Sequence, residues 1–276
     1  AAAVGMGLSV SGVVMQAVVK NPLAEPYVLG ISSGASLGAT LAILLGVGVI
    51  FGGNYVGVTA CIGAFAISIA VVGLANIGGR ATSVKLLLAG MALSALCSAF
   101  SSCVVYFSND RDATREVSFW MMGSLAGAEW ETNAVILPLT VLGVLFFWTQ
   151  HRTLNLMLLG DEASITLGTD LHLYRQGYLL VSSVLVGFAV YCAGVIGFVG
   201  LVIPHVVRML VGTDHKKLVP LSALTGAVFL IWADVLCRAV IPGVELPIGI
   251  LTSIIGAPCF IYLMARRRYG FGGNEA

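Results

Sequence analysis

Side chains equipped for chemistry are scarce in this sequence, and none is spaced for catalysis. Asp234 and Arg238 stand four residues apart inside an apolar run, so on a helix they share one face. A carboxylate in a membrane helix is costly and is a functional candidate by default. A structural ion pair, or a position near the outer interface, is the competing reading. One acid beside one cation does not form a proton relay. His205 follows Pro204 with no second histidine nearby, which suits a hydrogen-bonded structural residue better than a metal ligand. The cysteines, Cys61, Cys97, Cys103, Cys192, Cys237 and Cys259, lie in or beside apolar segments without a CxxC pair or a Cys/His cluster. They read as small apolar packing residues. No HExxH or GxSxG pattern is present, and no nucleophile, base and acid are arranged together. Nothing matches GxxxxGK[ST] either, so any ATP hydrolysis belongs to another chain. The sequence predicts no catalytic residue, no metal site and no cofactor held by this chain.

What remains to be explained is the apolar bulk. Of the 276 residues, 58% are hydrophobic and 10% charged, with a mean hydropathy of +1.00. Soluble domains carry about 25% charged residues, and no water-facing surface of this size is built from fewer than half as many. The solvent is then lipid, which demands spans of roughly 20 apolar residues. The net charge of +1 gives no reason to expect nucleic acid. Glycine, at 34 residues, lets packed membrane helices approach closely.

Nine spans follow: Ala1–Val19, Ile31–Val47, Val56–Gly78, Ser83–Phe107, Asn133–Gln150, Gly177–Gly194, Gly197–Leu210, Leu218–Leu236 and Ile248–Ala265. Ala1–Val19 has no basic residues ahead of it and reads as a span, not a signal peptide. The stretch from Gly177 to Val211 is too long for one span, and Gly194, Gly197 and Gly200 mark a tight reversal within it. Alternating sides places Lys20, Arg80, Lys85, Arg152, Arg175, Arg208, Lys216, Lys217, Arg266, Arg267 and Arg268 together, leaving only Arg111, Arg115 and Arg238 opposite. The basic excess makes the first side cytoplasmic. Residues 1–276 thus form one all-α polytopic membrane domain, with residue 1 outside and the C-terminus inside.

Two connections are more than loops. The outer segment 109–131 sets Val117, Phe119, Trp120, Met121, Met122 and Leu125 among polar residues, as in an amphipathic interfacial helix anchored by Trp120 and Trp130. The inner segment 151–176 is the longest polar stretch. Asp161 and Glu162 suit a helix N-terminus, Gly168 suits its end, and a further helix starts near Asp170. Pro22 and Pro26 make Asn21-Pro22-Leu23-Ala24-Glu25-Pro26 an extended, helix-breaking connector at the cytoplasmic surface, with a part in shaping the inner mouth of a pathway as the functional alternative.

These motifs carry a resemblance. Gly197-Phe198-Val199-Gly200-Leu201-Val202-Ile203-Pro204-His205-Val206-Val207-Arg208 resembles a signature of the permease subunits of iron-siderophore, haem and cobalamin ABC importers, the FecCD-type, type II importer family. So do Asn21–Pro26 with Leu29-Gly30-Ile31-Ser32-Ser33-Gly34, Leu86-Leu87-Leu88-Ala89-Gly90, Glu245-Leu246-Pro247-Ile248-Gly249 and Gly256-Ala257-Pro258, all in the family's order.

The resemblance implies a ten-helix subunit, so this chain is expected to show the family fold without its first helix. It implies a second permease copy forming a homodimer around one pathway, surrounding membrane lipid, two ATPase subunits carrying ATP and Mg, and an extracytoplasmic substrate-binding protein. It implies a bacterial or archaeal cytoplasmic membrane. Leu159, Gly160, Asp161, Glu162, Ala163, Leu167 and Gly168 become the segment that couples to the ATPase. Thr82 and Ser83 become an inner gate, with a capped helix start as the compatible plain reading. Arg238 becomes a docking contact for the binding protein. Ser94, Ser98, Ser101 and Ser102 suit either a weakly polar pathway wall or helix packing. The rival class is an ion-coupled secondary transporter, which needs intramembrane acids or discontinuous sites.

Overall fold

The nine apolar stretches fold as helices, and polar caps fix where several of them start. A computed structural model describes residues 1–241 and 245–266. Arg267 and Arg268, named above at the basic cytoplasmic end, lie outside the described residues. The helices are α1 (Ala2–Val18), α2 (Ile31–Leu45), α3 (Tyr55–Asn76), α4 (Ser83–Phe107), α5 (Arg111–Met121), α6 (Trp130–Thr149), α7 (His151–Leu159), α8 (Asp161–Thr166), α9 (Leu171–Ala193), α10 (Val199–Val211), α11 (His215–Ala239) and α12 (Ile248–Arg266). Side-chain oxygens of Asn54, Thr82, Asp110, Asp170 and Asp214 accept from the first-turn amides of α3, α4, α5, α9 and α11. These are amides that a helix cannot satisfy internally. Among the described residues no strand occurs.

Among the described residues, five helices, α3, α4, α6, α9 and α11, are long and apolar enough to cross a membrane; α1, α2, α10 and the Ile248–Tyr262 part of α12 are shorter apolar helices. The 13 residues of α10 rise only about 20 Å against a hydrocarbon core of about 30 Å. Three of the short helices, α1, α2 and α10, adjoin breaks inside the bundle. After α1 and before α10 the chain re-enters the bundle interior in non-helical form.

Helix α1 is the axis. It is buried on almost every side from Ala3 to Val18, as expected of a helix apolar all round. Helices α6, α7, α9, α10 and α11 pack on it. A Cβ at Gly12 would overlap the Gly200 backbone, so the two chains touch there directly. Gly200 also lies against Leu8, while Arg208 Nη2 donates to Gln16 Oε1 at 2.6 Å. Helix α10 therefore runs parallel to α1 and begins level with its middle, not at its end.

The charged residues separate to the two ends as the sequence predicts. Arg80 meets Asp170 and Arg175 meets Asp161 at one end, with Lys20 beside Asp161. Ala1 stands near Asp234 and Arg238 at the other.

Candidate functional site

The chain turns back into the membrane at Asn21. Its amide donates to the Gln16 carbonyl, and its side-chain oxygen accepts from the Leu23 amide at 2.9 Å. Glu25 is extended, Pro26 opens a single 3-10 turn over Pro26–Leu29, and Gly30 at φ 84° swings the chain into α2. That φ is unfavourable for any side chain with a Cβ. A Cβ at Gly30 would also stand 3.3 Å from both the Gly90 carbonyl and Ser94 Oγ. Ser94 lies about 16 Å along α4 from Ser83, which puts this turn at half depth.

The second break, between α9 and α10, arrives at the same level. Gly194 has φ 66° and Phe198 φ 67°; a bulky residue there is strained and needs its surroundings to hold it. The first break supplies the hold. Glu25 Oε1 accepts from the Phe198 amide at 2.6 Å, and Tyr27 Oη accepts from the Ile196 amide at 3.3 Å. In an interior without water these amides have no other partner, and a carboxylate at the start of α10 also meets the positive end of its dipole. Phe198 fills the space over Gly256 of α12. The start of α12 is held by Ile248 and Gly249 amides donating to the Gly123 and Met122 carbonyls. Motifs scattered from Asn21 to Pro258 thus converge on one junction.

This corrects the reading of residues 21–26 as a surface connector. Glu25 is an interior residue that fastens two broken helices. A signal for it existed: an acid between two prolines, five residues before a glycine, in a chain with so few charges.

The outer segment contains the amphipathic helix expected of it. In α5, Val117 is buried and Arg115 lies over the Phe119 ring at 5.3 Å. Trp130, at 89% exposed, is free of protein contacts that would bury it. Between α2, α4 and α5 lies a cavity of about 540 Å³ lined by hydroxyls, including Ser36, Thr40, Ser98, Ser101, Ser102 and Thr114. Ser94 is not on this wall; it backs the turn at Gly30.

At the opposite end, α7 and α8 meet at Gly160, whose φ of 105° only glycine tolerates. Helix α8 starts at Asp161 and closes at Leu167 and Gly168, as the sequence indicates; α7 was not foreseen. Leu159 and Leu167 are each 63% exposed and Ile165 is 58% exposed, an apolar edge beside exposed Glu162. Ala163 faces partly inward, and Ser164 is tied to the Leu156 and Gly160 carbonyls. Partial burial raises the Asp161 pKa, but the hydrogen bond and charge of Arg175, with Lys20 nearby, outweigh it and hold the carboxyl below its ordinary 3.8. Asp214, hydrogen-bonded by Asn155 and the Lys216 amide, is likewise lowered.

Thr82 accepts from the Lys85 amide as the cap of α4, while Ser83 Oγ donates to the Val18 carbonyl at 2.9 Å and joins α4 to the inner end of α1. Arg238 is half exposed and already engaged. Its Nε donates to Asp234 Oδ2 at 3.1 Å, and Nη2 lies 3.3 Å from Asp234 Oδ1 and 3.8 Å from Glu245.

Comparison with known proteins bears on the whole chain. A family model described as the FecCD transport family matches residues 1–266. The hemin transport system permease protein HmuU of Yersinia pestis is 43% identical over 276 residues, covering 97% of this chain and 80% of that protein. The vitamin B12 import system permease protein BtuC of Salmonella typhi is 40% identical over 263 residues, covering 95% and 79%. A solved structure, described as an inward-facing conformation of a metal-chelate type ABC transporter, superposes with a TM-score of 0.88 at 34% identity, covering 96% of this chain and 83% of that one.

Proposed function

This chain belongs to the FecCD transport family, and on that premise we propose that it is the membrane-spanning permease subunit of an ATP-driven importer of metal chelates: iron-siderophore, haem or cobalamin. The observation that carries the proposal is likeness along the whole chain to permeases of hemin and vitamin B12 transport systems. The mechanism is alternating access without covalent chemistry on the cargo. A loaded binding protein docks outside, ATP closes a pair of ATPase subunits inside, and the pathway between two permease copies reorients. The chain supplies nine spans in the bacterial or archaeal cytoplasmic membrane.

The arrangement supports each part. The exposed apolar edge at Leu159, Ile165 and Leu167, presented by a helix pair pinned at Gly160, is a seat for an ATPase. Residues 159–163 with Leu167 and Gly168 are the coupling segment. Thr82 and Ser83, at the inner end of α4 where it meets α1, are the inner gate. Helix α4 carries exposed Leu88, Met91, Leu96 and Phe100, an apolar face for a second copy or for lipid. The hydroxyl-lined cavity beside it is a weakly polar wall that large chelates can pass. Arg238 is the docking contact at the outer end, where its half-exposed guanidinium faces outward from Asp234.

The test is reconstitution in liposomes with the ATPase and binding protein encoded alongside it. The permease alone should hydrolyse no ATP, and the complete complex should accumulate one chelate only when ATP is present. Gly160→Pro should uncouple the two, because proline cannot adopt a φ of 105°. One observation favours an ion-coupled transporter: an interior acid, Glu25, between two broken helices. Uptake that collapses with a proton ionophore while ATP stays high would select that reading.

A further inference from the structure

The widest unexplained expense in the fold is a buried arginine. Arg175, in the second turn of α9, is 2% exposed and among the largest fully buried side chains. Its Nη2 donates to Asp161 Oδ1 at 2.5 Å, and its Nη1 donates to the Ala81 carbonyl at 3.3 Å. Its Nε finds no partner among the described residues. Stability alone does not account for this. Only the arginine side of the pair is buried, since the Asp161 side chain is 44% exposed; a buried charge costs desolvation, and the best-attested use of such a group is to fix register or to switch. The incomplete hydrogen bonding sharpens the point, since the unpaired Nε is a cost with no return in packing.

What the guanidinium joins is informative. Asp161 is the first residue of α8, and Ala81 is bonded directly to Thr82. The neighbouring Arg80–Asp170 pair joins the same turn to the start of α9 and not to α8, and its side chains are 70% and 55% exposed, where solvent screening leaves little energy. Among the described residues, Arg175 is a side chain that reaches both Asp161 of α8 and the Ala81 carbonyl of that turn. We propose that Arg175 is a positioning residue that ties α8 to the turn before α4, delivering displacement of α8 to Thr82 and Ser83. This rests on the function proposed above, which makes α8 the coupling helix and Thr82–Ser83 the gate. Two groups on one planar fork move together; a flexible single-point contact would let one end slip.

The experiment uses the full complex in liposomes, with Thr82→Cys labelled by an impermeant thiol reagent from the cytoplasmic side, with and without ATP. Uptake per ATP hydrolysed and thermal midpoint are measured on the same preparations. With Arg175 intact, the labelling rate should change severalfold with ATP. In Arg175→Met that response should vanish and uptake per ATP should fall about tenfold, the size of an ordinary coupling term. Arg175→Lys and Asp161→Asn, which threaten folding less, should each give the same direction of change, and combining them should add nothing further. Arg80→Gln should leave both readouts alone. A purely structural arginine predicts the opposite pattern: a lower thermal midpoint with uptake per ATP and the ATP response of Thr82→Cys unchanged. That result, or additive effects of Arg175→Lys and Asp161→Asn, overturns the proposal. If the unmodified complex neither transports with ATP nor responds at Thr82→Cys, the functional reading itself fails and this inference falls with it.

Discussion

Replacing Glu25 tests the interior junction most directly. Glu25→Ala leaves the Phe198 amide without its 2.6 Å acceptor in a water-free interior. An orphaned buried donor costs about 1–3 kcal/mol. Losing a negative charge at the start of α10 removes roughly 0.3–1 kcal/mol more. Phe198 sits at φ 67°, so nothing local would keep it there once the clamp is gone. The sum is about 1.3–4 kcal/mol. At about 2–4 °C per kcal/mol for a chain of this size, the thermal midpoint in detergent should fall by roughly 3–16 °C. Glu25→Gln keeps a carbonyl oxygen within reach of the same amide and should lose less than half of that. Dye-reported unfolding of the two variants, side by side, reads the difference. A midpoint for Glu25→Ala within about 1 °C of the parent would refute the clamp. An equal loss in both variants would show that charge, not the hydrogen bond, holds the junction.

Three further outcomes are expected. Gly12→Ala should abolish folding or destabilise by several kcal/mol, about the scale of overpacking, because its Cβ meets Gly200 backbone, whereas Gly177→Ala, with open space around it, should be tolerated; yield and monodispersity on size exclusion compare them. Arg238→Glu places a third acid beside Asp234 and Glu245; if Arg238 docks the binding protein, affinity should fall most at low salt, whereas a lower thermal midpoint with unchanged affinity per folded molecule would leave it only an internal partner. Because Asp161 has its pKa lowered in the folded chain, its contribution is complete above its ordinary 3.8 and is lost as pH falls from there through the folded value; the thermal midpoint of the parent should drop more steeply below that pH than that of Asp161→Asn.

The sequence by itself determined that this is a helical membrane protein, where its apolar helices lie and which end of the bundle carries the basic residues. Those properties come from local composition: apolar runs set the helices, and side chains such as Asn54, Thr82, Asp170 and Asp214 cap the amides that follow them. Helix α8 was legible for the same reason, since an acid pair opens it and Gly168 follows it. The family was legible too, because its motifs are contiguous in the chain. Only the tertiary structure decided the depth of each segment. Residues 21–26 read locally as a surface turn, and prolines and an acid say nothing of the amide 173 positions away that donates to Glu25. That α1 is the buried axis depended on which glycines face which backbones, Gly12 on Gly200 above all. Arg175 looked like one of many cytoplasmic basic residues. Its role became visible only when α9 packed behind α8 and carried the guanidinium out of water, between half-exposed Asp161 on one side and the Ala81 carbonyl on the other.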